Sequence, residues 1–182
     1  ISPDRKVQKR CVETRQNLRM EFGFKKNDFL LLQIGSGFKV KGVDRTLRAI
    51  ASLTDDLKSR AHFILIGQDA SSKVARLASR LRISDQCTIL SGRDDIPRFL
   101  AASDLMVHPA YLESAGYVLL EATIAGLPVL TTDTCGYAFH IEQAKSGLVC
   151  SSTFNQAELN SKLSKMLPML EKEKWTENGL EY

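Results

Sequence analysis

Absences narrow the function of this sequence before any motif does. No apolar stretch approaches the roughly 20 residues that span a bilayer; runs such as residues 29–34 and 117–120 are far shorter, so no transmembrane helix is expected. There is no C-x-x-C pair and no histidine at zinc-finger spacing. Cys11, Cys87, Cys135 and Cys150 therefore read as free thiols. Asp-x-Asp and other clusters of hard oxygen ligands are missing too, so no metal site and no metal cofactor are expected. A net charge of +4 favours phosphate or an anionic membrane surface but is too small to indicate a nucleic-acid partner. Internal repeats and low-complexity segments are absent. The first residues, Ile-Ser-Pro-Asp-Arg-Lys, have neither an initiator Met nor the apolar core of a secretory signal, and read as the start of a cytoplasmic fragment.

What is present is ordinary globular composition, 43% hydrophobic and 25% charged in 182 residues. That length suits one domain with a sheet covered on both faces. Short β-branched runs at residues 29–34, 62–66, 88–90, 105–108, 129–131 and 148–150 predict strands. Amphipathic stretches at 43–53, 72–81, 97–102, 117–125 and 156–167 predict helices between them, and 16–22, closed by Gly23, predicts a leading helix. Alternation of this kind gives an α/β fold, a Rossmann-like doubly wound six-stranded parallel sheet. The domain plan is a linker and first helix at 1–27, a Rossmann-like domain at 28–170, and a charged helical segment at 171–182 expected to pack on a neighbour absent from this chain.

In such sheets ligands sit beyond the carboxyl ends of the strands. Two motifs fall there. Gly35-Ser-Gly37-Phe-Lys-Val-Lys41-Gly42 is a flexible loop able to bring backbone N–H groups and an ammonium to phosphate, although glycines in a tight turn beside a solvated lysine would look the same. It is neither a P-loop, because its lysine precedes the last glycine, nor Gly-x-Gly-x-x-Gly, because Val40 takes the third glycine's place. Asp55 and Asp56 lie about 20 residues downstream, the spacing of a ribose-binding acid, which keeps a dinucleotide-dependent oxidoreductase as an alternative.

The second motif, His108 to Pro128, sets Glu113 and Glu121 on either side of Gly116 and a helix start. Free N–H groups near Ala115, Gly116 and Tyr117 would then point into the crevice, with the helix dipole favouring an anion such as a diphosphate. Glu121, inside the apolar run Val-Leu-Leu-Glu-Ala, reads as facing the ligand rather than solvent. His62, His108 and His140 read as satisfied structural histidines.

The strings Lys41-Gly-Val-Asp-Arg, Gly67-Gln-Asp, Ser91-Gly-Arg93, His108-Pro-Ala-Tyr, Gly126-Leu-Pro-Val-Leu-Thr-Thr and Cys135-Gly-Tyr-Ala, with the two spaced glutamates, resemble the C-terminal half of the retaining GT-B glycosyltransferases of family four. The branch most similar comprises glucosyltransferases of the lipopolysaccharide inner core. The resemblance runs from about Pro3 to the end, and implies a UDP-sugar donor, UDP-glucose, with no cofactor. It also implies a missing N-terminal acceptor-binding domain, a core heptose as acceptor, inactivity of this half alone, and peripheral contact of the whole protein with the inner membrane. Lys41 and Glu113 are the implied catalytic residues: Lys41 on the diphosphate, Glu113 on the sugar hydroxyls. Glu121 falls on the ribose, Arg93 against the uracil, and Arg5, Gly37, Ala115, Gly116 and Tyr117 complete the donor contacts. Val40 stands where these relatives have an arginine, a loss of about 1.5–3 kcal/mol if a diphosphate contact goes unreplaced, which implies lower activity or a different donor.

Overall fold

The computed structural model describes residues 11–182. Six parallel strands, β1 (Phe29–Ile34), β2 (Ala61–Ile66), β3 (Cys87–Leu90), β4 (Leu105–His108), β5 (Val129–Thr132) and β6 (Gly147–Cys150), form one sheet. Their order is β3-β2-β1-β4-β5-β6. The chain thus winds outward from β1, then returns to lay β4 beside it, and the crevice opens where the direction switches.

Both faces of the sheet are covered, so its central strands are apolar throughout instead of alternating. Leu31, Phe63, Leu65, Leu105 and Val107 point to one core. There they meet α2 (Val43–Ala51), α4 (Ser72–Arg80) and α8 (Gln156–Met166) through Val43, Leu47, Val74, Leu159 and Leu163. Leu30, Leu32, Ile64 and Met106 point to the other. That face carries α1 (Val12–Glu21), α5 (Ile96–Ala102), α6 (Tyr117–Ile124) and α7 (Ala138–Ala144), anchored by Leu18, Phe99, Leu119 and Ile141. The exception in β1 is Gln33, buried and bonded at both amide atoms: its Nε2 donates to the Lys41 carbonyl at 2.7 Å and its Oε1 accepts from Thr46 at 2.8 Å. One polar residue in an apolar strand thereby fixes the loop that carries Lys41.

The expected strands are found within a residue of their ends. Helices differ more. The first begins at Val12, where Cys11 Sγ caps the Thr14 N–H, and not at Gln16. α3 (Asp55–Arg60) was not expected because it buries no residue and so has no apolar periodicity to read. α7 was not expected either. α9 (Trp175–Glu181) packs on α6 and α7, with Gly179 against the Thr123 carbonyl, so the final segment covers this domain. No helix among the described residues is long and apolar enough to cross a membrane.

Candidate functional site

The loop between β4 and α6 is held from two sides. On the β1 side, Arg45 donates through Nη1 to the carbonyls of Pro109 and Ala110, at 3.1 and 3.0 Å. Its guanidinium lies between the rings of Tyr111 and Phe154, 3.5 and 3.6 Å from their centroids. A planar, always charged group suits that slot as an ammonium would not. Tyr111 donates its hydroxyl to Asp44 at 2.9 Å and its N–H to the Val40 carbonyl at 2.8 Å. Gly42, in the left-handed region at φ +70°, has no room for a side chain, since a Cβ would stand 2.0 Å from the Pro109 oxygen.

On the β5 side, Thr131 donates to the His108 carbonyl at 2.8 Å and Thr132 to the Ala110 carbonyl at 2.9 Å. Glu113 donates its N–H to Thr134 and accepts from the Gly136 N–H, while Ala115 accepts from the Tyr137 N–H. Arg45, Thr131, Thr132 and Gly136 therefore set the position of the acidic loop, a role that sequence reading missed. The signal was there in the Lys-Gly-Val-Asp-Arg, Thr-Thr and Cys-Gly-Tyr-Ala strings, but nothing in them says that they touch the same loop.

Between these supports lies a cleft of about 270 Å³, lined by Lys41, Glu113, Gly116, Tyr117 and Glu121 among others. Residues far apart in sequence thus share one cavity. The Lys41 ammonium pairs with Glu113 Oε2. Burial pushes the Lys41 pKa down from its ordinary value, so this ammonium is held at some cost in solvation and is readily drawn to a further anion. Gly116, at φ +87°, turns the chain into α6. The N–H groups of Ala115, Gly116 and Tyr117 meet no acceptor among the described residues, which leaves the positive end of α6 open to the cleft. Glu121 is buried at 4% exposure, so it is not a solvated helix acid.

His108, at the end of β4, departs from the expectation of a satisfied structural histidine. His62 bonds Asp28 at 2.9 Å and His140 bonds Tyr182 at 2.7 Å, but both ring nitrogens of the fully buried His108 lack a hydrogen-bond partner among the described residues. Its Nε2 stands 3.6 Å from Glu113 Oε2. Burial, and then the charge of Lys41, pushes its pKa down to about 4, so the ring is neutral at pH 7.

Other candidates lie elsewhere. The Gly37 N–H is taken by Asp69 Oδ2 at 2.6 Å. Arg93 makes a two-pronged contact with Asp95, at 2.7 and 2.9 Å, and is not among the residues lining the cleft. Arg5 lies outside the described residues. Val40 is half exposed. Asp55 and Asp56 open α3 ahead of β2, at the amino end of that strand and away from the crevice, which removes the geometric support for a dinucleotide ribose site. No group of three or more His, Cys, Asp or Glu able to hold a metal ion occurs among the described residues.

A doubly wound sheet with a lysine, an open helix N-terminus and two carboxylates at its switch-point cleft is a ligand-binding type of α/β domain. The chain belongs to the family described as Glycosyl transferases group 1, which it matches over residues 14–181. It is 44% identical to the lipopolysaccharide glucosyltransferase WaaG of Escherichia coli strain K12, over all of this chain and 49% of that protein. It superposes on a crystal structure of WaaG, a glycosyltransferase involved in lipopolysaccharide biosynthesis, with TM-score 0.93, covering 50% of that chain. The fold is shared with Anabaena Alr3699/HepE, solved in complex with UDP, at TM-score 0.79 and 21% identity over 95% of this chain and 48% of that one. The chain spans about half the length of each of these proteins. Its fold is that of one half of a GT-B glycosyltransferase.

Proposed function

We propose that the chain is the donor-binding half of a retaining glycosyltransferase, that its donor is UDP-glucose, and that the acceptor is a lipopolysaccharide inner-core heptose held by a second domain. The observation that carries the donor reading is the convergence of Lys41, the α6 N-terminus, Glu113 and Glu121 on one cleft at the switch between β1 and β4. The similarity to WaaG supports the glucose and lipopolysaccharide parts.

In this reading the diphosphate lies against Lys41 and the N–H groups of Ala115, Gly116 and Tyr117. These groups stabilise the negative charge that develops as UDP leaves, without a metal ion. Glu113, ahead of the helix, accepts from sugar hydroxyls, and Glu121, a turn and more inside it, accepts from the ribose. Arg93 stacks on the uracil after releasing Asp95. Arg5 and Gly37 add donor contacts, the latter once Asp69 yields the Gly37 N–H. The whole protein works in the cytoplasm, peripherally at the inner membrane, and this half alone does not turn over.

Thermal shift against UDP, UDP-glucose, UDP-galactose, GDP-mannose and NAD, with magnesium or with EDTA, tests it. Stabilisation by UDP and UDP-glucose in EDTA is expected; at 100 times the dissociation constant it amounts to about 2.7 kcal/mol. Stabilisation by NAD alone, or only with magnesium, overturns it.

A further inference from the structure

The geometry points to His108 as a positioning residue that takes over the Glu113 carboxylate when a diphosphate draws Lys41 away from it. This inference rests on the donor-site reading above. Glu113 Oε2, the oxygen that Lys41 holds, is also the carboxylate oxygen 3.6 Å from His108 Nε2, just beyond a good hydrogen bond. A neutral imidazole carries one N–H, and a buried donor without a partner is the state that folded proteins avoid. In His108 the donor nitrogen and the acceptor nitrogen alike lack a partner among the described residues.

The chemistry of the cleft supplies a reason. A diphosphate competes with Glu113 for the Lys41 ammonium, and a carboxylate that loses its cation beside an arriving phosphate is repelled by it. A small shift of Glu113 toward the end of β4 closes the Nε2–H···Oε2 bond and takes the carboxylate away from the phosphate. A neutral donor is suited to this, since it holds the carboxylate without adding a second cation to compete for the ligand. His108 is fixed to perform it because Thr131 holds its carbonyl from β5. Lys41 and Glu113 are the charged groups facing the ring, and the Cys135 thiol lies against its carbonyl.

Histidine-selective ¹⁵N resonance titration of the 182-residue chain tests the exchange without any ligand. In Lys41→Met the His108 midpoint should rise by at least about one unit, and its Nε2 resonance should move to that of a hydrogen-bonded N–H. Both changes should shrink in Lys41→Met/Glu113→Gln, which removes the cation equally but weakens the acceptor. Identical spectra and midpoints in the two variants overturn the proposal.

Calorimetry with UDP and uridine is the second arm. His108→Phe should weaken UDP about tenfold, the size of one charge-assisted hydrogen bond, and leave uridine unchanged; His108→Gln, which restores an N–H donor, should recover most of the loss. If UDP binds the Phe variant as it binds the natural chain, the exchange is wrong and the donor site stands. If the natural chain does not bind UDP, the donor reading fails, and the titration still decides the exchange. Should His108→Phe fail to fold, the Gln variant and the titration decide it.

Discussion

Gly136 packs directly on the peptide of Ser114: a Cβ added there would lie 2.1 Å from the Ser114 carbonyl oxygen. The Gly136 N–H is bonded to the Glu113 carbonyl at 2.9 Å, so the two loops touch along the stretch that carries the catalytic candidate. Gly136→Ala should force the acidic loop outward, lower stability by roughly 1–3 kcal/mol as overpacking does, and weaken UDP-glucose. Gly23→Ala is the control. It strains a left-handed glycine, at φ +71°, but has no atom within 4 Å of the new methyl, so it should lower stability without touching the ligand. Equal ligand losses in both variants, measured by calorimetry on folded protein, would show that the contact does not position the site.

Lys41 is assigned to phosphate. Lys41→Ala should weaken UDP by roughly 10- to 100-fold and leave uridine nearly unchanged, the loss of one charge-assisted contact. Comparable losses for the two ligands would remove Lys41 from the diphosphate.

The two carboxylates should fail differently. Glu121→Gln removes a ribose contact of about 1.5–3 kcal/mol, present in UDP and UDP-glucose alike. Glu113→Gln should spare UDP and blunt the preference among UDP-sugars, and in the complete enzyme it should lower turnover because a misplaced sugar loses its reactive geometry. Titration of both variants with UDP and UDP-glucose checks this, and a Glu113→Gln loss for UDP as large as that of Glu121→Gln would end the division of roles.

His108 also makes stability depend on pH. Its folded value of about 4 lies below the ordinary 6.5, so between those values the unfolded chain holds a proton that the folded chain refuses. Its contribution is therefore greatest above pH 6.5 and falls as the pH drops toward 4, by about 3 kcal/mol over the whole window. Denaturant unfolding at pH 7, 5.5 and 4.5 should show that fall in the natural chain and a smaller one in His108→Gln. Parallel losses in the two proteins would exclude His108 as the source.

The sequence determined the strands, because β1 to β6 each announce themselves through local apolar runs whose ends differ from the observed ones by a residue at most. It also determined which loops matter, since Gly35 to Gly42 and Pro109 to Gly116 follow β1 and β4, and strand polarity puts both at one edge. α3 was illegible for the converse reason, since it buries no residue, and α7 because its seven residues carry a stripe of only Ala138, Ile141 and Ala144. What only the tertiary structure decided is which groups meet through space. Asp69 caps the Gly37 N–H, Arg45 slots between Tyr111 and Phe154, Gly136 packs on Ser114, and His108 is left beside a carboxylate already held by Lys41. Periodicity reports how a residue sits in its own element, whereas hydrogen bonds, burial and pKa depend on distances across elements, and those are fixed only when the sheet has assembled.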